Sequence, residues 1–168
     1  MTARCSSRYR LFVAKDEHKF SCAHMTLFPD GTKERLHGHN YRVGAALEMQ
    51  EGFLDFARVK SALATLCEEL REHLLMPSQS AAVRVLSQDE ISTEFSVCGK
   101  RYVIPSDELL WLPMQNVVVE GLAEYLWGRI AQHLRAEFEQ AGVGWLEVTV
   151  TEAPGQGARF RADPRKGG

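Results

Sequence analysis

His37 and His39 stand two apart in the stretch KERLHGHNY, with Gly38 between them. In an extended strand, residues i and i+2 project from the same face, so the two imidazoles lie side by side. Two such rings can hold a divalent cation, and a third nitrogen from a neighbouring strand completes a three-point site. His24 ends an earlier extended segment after a twelve-residue gap and is the natural third ligand. An all-histidine set leaves a fourth position open to water or substrate, which suits zinc used as a Lewis acid. Imidazole also accepts nickel, copper or iron. The alternative is an HxH pair at a strand edge whose rings only bond the backbone. Gly38 either admits a close backbone neighbour or relieves a bulge.

Two other side chains stand out. Glu152 continues the parity of Leu146, Val148 and Val150, so its carboxylate is expected to face inward. Burying a carboxylate is costly without partners, so it reads as an anchor for paired N–H donors of a heterocycle. It is solvated instead if the strand stops at Thr151. His73 falls near the end of a helical stripe, where an imidazolium is favoured by the helix dipole; general acid–base work is the other reading. His18 and His133 have no nameable partner and read as structural or surface residues.

These residues need strands and helices to position them. Residues 9–24 read as extended, with a change of parity that implies a bulge or bend. Residues 25–36 form a loop around Pro29, Asp30 and Gly31. From His37, alternation runs through Tyr41, Val43, Ala45, Leu47 and Met49, with Glu51 and Gly52 ending the strand. Asp55 caps a helix whose stripe is Phe56, Val59, Leu63, Leu66, Leu70 and Leu74, stopped by Pro77. Residues 81–104 are rich in β-formers and predict a hairpin turning at Gly99. Asn116 caps a second helix with the ridge Leu122, Leu126, Ile130 and Leu134, ended by Gly142. The strand WLEVTVTE follows, and residues 159–168 give a short last strand and a frayed tail. The pattern predicts one α+β domain over 1–168: an antiparallel β-sheet with both helices packed on one face.

Composition sets the class. With 168 residues, 45% hydrophobic and 25% charged, the chain can build one sizeable core and is not disordered. A net charge of −2 gives no electrostatic case for nucleic acid. No run approaches the roughly eighteen apolar residues of a membrane span, and MTARCSSRYR is not a secretory signal. Cys5, Cys22, Cys67 and Cys98 show no CxxC pair or framework spacing, so free thiols and a cytoplasmic location are expected.

FSCAH, LHGHNY, FLDFARVK and the late VTVTE together resemble the 6-pyruvoyl-tetrahydropterin synthase and 6-carboxy-tetrahydropterin synthase family, over about Phe12 to Glu152. Residues 81–104 read as an insertion in that pattern. The resemblance implies a tunnelling fold assembled as a homohexamer, a dimer of trimers. It implies zinc on residues matching His24, His37 and His39, and a pterin gripped by one matching Glu152 between subunits. The implied substrate is 7,8-dihydroneopterin triphosphate, undergoing loss of triphosphate with rearrangement or cleavage of its side chain.

The chain departs from that pattern in places that bear on catalysis. The family's usual catalytic cysteine, four residues before HGH, is Lys33 here. Lysine has an ordinary pKa of about 10.4 and is a poor base at neutral pH; pairing with the triphosphate is its expected role. Cys22 does not occupy the cysteine position. Glu34 fits the E-x-x-H-G-H spacing of relatives that cleave the side chain to 6-hydroxymethyl-dihydropterin, and is the expected proton carrier beside His73. The family's Asp-His pair is Glu72-His73 here. Before the second helix, Val118 replaces a threonine, while Glu120 survives as a pterin contact. A pterin lyase is therefore the leading expectation. A metal-containing pterin-binding protein without lyase activity, and a zinc hydrolase with a non-pterin substrate, are the rivals.

Overall fold

The computed structural model describes residues 8–49 and 52–166; Cys5, Glu51, Gly167 and Gly168 lie outside them. The longest strand, β3 (His37–Met49), is the spine of the main sheet. Along one edge it pairs with β1 (Tyr9–Val13) and β2 (Lys19–His24), each antiparallel, at successive stretches of its length. The bend expected between residues 9 and 24 is the step from one pairing to the other. Val43 N–H donates to the His18 carbonyl at 2.8 Å in that gap. On its other edge β3 pairs with β9 (Val143–Ala153), and β9 with β10 (Gln156–Ala162).

Helix α1 (Phe56–Leu70) begins as predicted, Asp55 accepting from Ala57 N–H at 3.0 Å, a cap typically worth about 1 kcal/mol. Its end corrects the sequence reading, which carried the helix through Leu74. Glu72 takes φ +59°, and its N–H donates to Ser21 O at 2.7 Å, so the chain turns into the sheet. Leu74 then opens β4 (Leu74–Pro77), parallel to both β2 and β8 (Leu109–Leu112). The main sheet is therefore mixed rather than wholly antiparallel. His73 lies beyond the helix, and the dipole argument for it lapses.

The predicted hairpin is a meander of three strands, β5 (Val83–Gln88), β6 (Ser92–Val97) and β7 (Lys100–Pro105), followed by a 3-10 turn at Ser106–Glu108. Cys98 and Gly99 make the second reversal with positive φ. The sheet covers a second core of Met25, Leu27, Leu74, Met76, Phe95 and Val97.

Helix α2 (Val119–His133) is capped at Val118 without a side-chain bond. Asn116 does something else: its amide oxygen accepts from Leu27 N–H at 3.0 Å, and its amide nitrogen donates to Leu27 O at 2.9 Å. The single helix expected up to Gly142 is broken at Leu134 (φ −110°, ψ 22°), and α3 (Arg135–Gln140) follows. The break keeps Leu134 and Phe138 both buried, and Gly142 ends α3 with φ +62°. Against one face of the main sheet, α1 packs on β2 and β3 and α2 on β9 and β10, enclosing the larger core. No helix among the described residues is long and apolar enough to cross a membrane.

His18, with 1% of its surface exposed, is buried, and its Nδ1 has no partner among the described residues. Burial pushes its pKa below the ordinary value near 6.5, opposed by Glu17 and aided by Lys15 and Lys60. As pH falls through about 6.5 the unfolded chain takes up this proton first, so stability drops until the folded pKa is passed. We expect denaturant titrations of the metal-free protein to show a shallower loss between pH 7 and 5 in His18→Gln than in the wild type. Parallel curves would show that His18 titrates alike folded and unfolded.

Candidate active site

The β2–β3 register sets His24 directly opposite His37 and Cys22 opposite His39. A Cβ at Gly38 would stand 3.2 Å from the Cys22 carbonyl, so glycine there admits the tight approach of the two strands. The three ring nitrogens available as ligands lie within 4.8 Å of one another. His24 Nδ1–H donates to Val117 O at 2.9 Å, and His37 Nδ1–H donates to Arg35 O at 2.8 Å. Backbone carbonyls thus fix both tautomers and turn each Nε2 lone pair inward, as metal-binding histidines require. The buried Tyr41 hydroxyl donates to His24 Nε2 at 3.0 Å, and His37 and His39 bring their Nε2 atoms to 3.1 Å. Burial lowers the pKa of His24, keeping the ring in the neutral form that binds cations. The donor set fits a divalent metal.

Two clefts flank the triad. The first, about 300 Å³, is lined by His24, Thr26, Val118, Glu120, Glu152 and Gln156. Strand β9 continues past Glu152, which is half-buried on the side of Val148 and Val150 as its parity predicts. Gln156 donates its amide to the Glu152 carboxylate. The β9–β10 register shifts at Gln156, and Gly157 follows; a Cβ at Gly157 would overlap Val150 O, so no larger residue fits without displacing the strands. The second cleft, about 460 Å³, contains His39, Glu72, His73, Ile104 and Glu108. His73 Nδ1 is buried there with no partner among the described residues, while Glu72 is exposed.

Glu34 Oε2 lies 3.8 Å from His37 Nε2. Thr26 holds its carboxyl below the ordinary carboxylate range through a side-chain hydrogen bond, reinforced by the nearby His37. Thr26 also lines the first cleft, so it links Glu34 to Glu120 and Glu152. Lys33 Nζ donates instead to Glu34 O at 2.9 Å and lies 5.1 Å from the centre of the Tyr102 ring. Cys22 is buried, and burial pushes its thiol up to about 12, which leaves it protonated at neutral pH. Sequence reasoning passed over Thr26 and Gln156, whose roles are visible only once the strands are paired.

The sequence pattern of the 6-pyruvoyl tetrahydropterin synthase family matches residues 13–163. The chain belongs to that family. A provisionally named 6-carboxy-5,6,7,8-tetrahydropterin synthase of Methanocaldococcus jannaschii is 30% identical over 148 residues, 85% of this chain and 89% of the relative. Another so named, from Pyrococcus horikoshii, is 28% identical over 166 residues, covering 92% and 98%. The crystal structure of the Plasmodium vivax 6-pyruvoyl tetrahydropterin synthase superposes with a TM-score of 0.87 at 24% identity, covering 94% of this chain and 99% of that one. The P. vivax enzyme has also been solved with a glutamate, described as a catalytic residue, replaced by alanine or by cysteine. The family consists of pterin lyases.

Proposed function

We propose that this chain is a zinc-dependent lyase acting on 7,8-dihydroneopterin triphosphate, with Glu34 as its proton carrier. The observation that supports this reading is the Glu34 carboxylate at 3.8 Å from His37 Nε2, a nitrogen of the candidate metal triad, while the two other groups considered for its role are engaged elsewhere. Lys33 is turned onto Glu34 O and Tyr102, and the Cys22 thiol is buried and protonated.

His24, His37 and His39 would hold the zinc. Bound there, it supplies Lewis acidity to the side-chain hydroxyls of the substrate. The remaining work belongs to the chain's own groups. Glu152 and Glu120 accept N–H donors of the heterocycle, with Gln156 fixing the orientation of the Glu152 carboxylate. Glu34, kept ionised by Thr26, takes a proton from the pterin side chain. His73, whose Nδ1 has no partner among the described residues, would return one from the second cleft, with Glu72 beside it. The ground for proposing cleavage to 6-hydroxymethyl-dihydropterin over the 6-carboxy or 6-pyruvoyl outcome is the spacing of Glu34 before His37 and His39, with Lys33 where the family's cysteine would stand.

Glu152→Ala tests the pterin contact. Loss of charge-assisted hydrogen bonds worth about 1.5–3 kcal/mol weakens pterin binding by roughly 10- to 100-fold. Calorimetry on the metal-loaded protein should show this with the zinc content unchanged; unaltered affinity would remove Glu152 from the site. A second reading, a pterin-binding protein without turnover, is favoured by Val118, which lines the first cleft and offers no hydroxyl.

The exposed Tyr9, Phe12 and Phe53 and the outer edge of β10, unpaired among the described residues, support self-association, for which the homohexamer implied by the family resemblance is proposed. Cys22, Cys67 and Cys98, free thiols among the described residues, support a proposed reducing, cytoplasmic setting.

A further inference from the structure

The loop bearing Glu34 is held from outside the first cleft, by the three-stranded sheet. Lys33 reaches that sheet: its ammonium lies on the Tyr102 ring of β7 and also donates to the Glu34 carbonyl. Tyr102 is itself fixed. It stacks on the fully buried Phe95 of β6, with ring centres 5.6 Å apart and an interplanar angle of 15°, and Phe95 meets Trp111 edge-on. At the residue just before Lys33, Cys98 Sγ–H points to Thr32 O at 3.7 Å. The other arm of the loop is clamped separately, by Asn116 on Leu27, and Leu27 and Lys33 form a bridge between the arms.

We infer that Lys33 and Tyr102 are a positioning pair which sets the Glu34 peptide, and through it the Glu34 carboxylate, against His37. A lysine meets both demands of the place. Its ammonium is attracted to the negative face of the ring, and its N–H satisfies a carbonyl that would otherwise be free to rotate. The peptide between residues 34 and 35 is thereby held at its carbonyl, and the peptide between residues 33 and 34 is held at Glu34 N–H, which donates to Thr26 O at 2.9 Å, so both peptides flanking the Glu34 Cα are fixed. With the pair intact, Lys33 is not a free cation for the substrate's phosphates. The sheet over residues 83–105 then belongs to the catalytic machinery. The inference rests on Glu34 as the proton carrier, and the test separates the two.

The experiment pairs steady-state kinetics on the metal-loaded enzyme with hydrogen exchange on the metal-free protein. A displacement of about 1 Å in a reacting group costs on the order of 100-fold. Lys33→Met and Tyr102→Leu are each expected to lower kcat by roughly 10- to 100-fold with KM unchanged, and Lys33→Arg to recover most of it. In the metal-free protein, the Glu34 amide loses protection in Lys33→Met, while the Leu27 amide, held by Asn116, keeps its own. A raised KM with unchanged kcat would overturn the pair and assign Lys33 to the substrate. An unchanged Glu34 amide would overturn it as well. Full turnover by Glu34→Gln alongside a loosened Glu34 amide in Lys33→Met upholds the pair and rejects Glu34 as the proton carrier.

Discussion

His39→Ala is expected to abolish zinc binding and turnover together. Three Nε2 atoms converge at the ends of β2 and β3, two of them steered by carbonyls of Val117 and Arg35. Losing such a supporting bond alone typically lowers metal affinity about 10- to 100-fold, and losing a ligand outright costs more. The variant should therefore leave a desalting column without stoichiometric zinc, by elemental analysis, and show no pterin product. His39 lies on a strand surface already half-open to the second cleft, so the fold survives its truncation and circular dichroism should match the wild type. Stoichiometric zinc in the variant would mean that the triad is not the metal centre.

Glu34→Gln is expected to lower kcat by roughly 100- to 10,000-fold, the usual contribution of a positioned acid or base. The amide keeps the size of the side chain and its contact with Thr26, so zinc content and pterin affinity should stay close to wild type. What disappears is the ability to take a proton. Single-turnover kinetics at saturating pterin isolates that step. A fall in affinity with kcat preserved would recast Glu34 as a binding residue.

Much of this site was legible before folding, and the reasons are physical. A two-residue period on an antiparallel strand is a strong signal, so β3 was expected to start at His37, and the His24 pairing followed from parity. Asp55 was legible because capping is local chemistry. Strands β4 and β8 were not, because each is covered on both faces: Leu74 and Met76 face the smaller core and Leu75 the larger. Parallel strands buried in this way read as continuous apolar runs, and Leu74, four residues after Leu70, completes a false helical stripe. Asn116 was misread as a cap since its true partner, Leu27, is distant in sequence. The positions of Lys33 and Gln156 depend likewise on contacts with other strands, Tyr102 for one and the shifted β9–β10 register for the other.

The most direct measurement is to incubate the zinc-loaded protein with 7,8-dihydroneopterin triphosphate and identify the pterin by mass spectrometry, beside Glu34→Gln. A 6-hydroxymethyl product from the wild type, absent from the variant, is the predicted result. A 6-carboxy or 6-pyruvoyl product that persists in Glu34→Gln, or intact pterin recovered from a protein that still binds it, would contradict catalysis through Glu34.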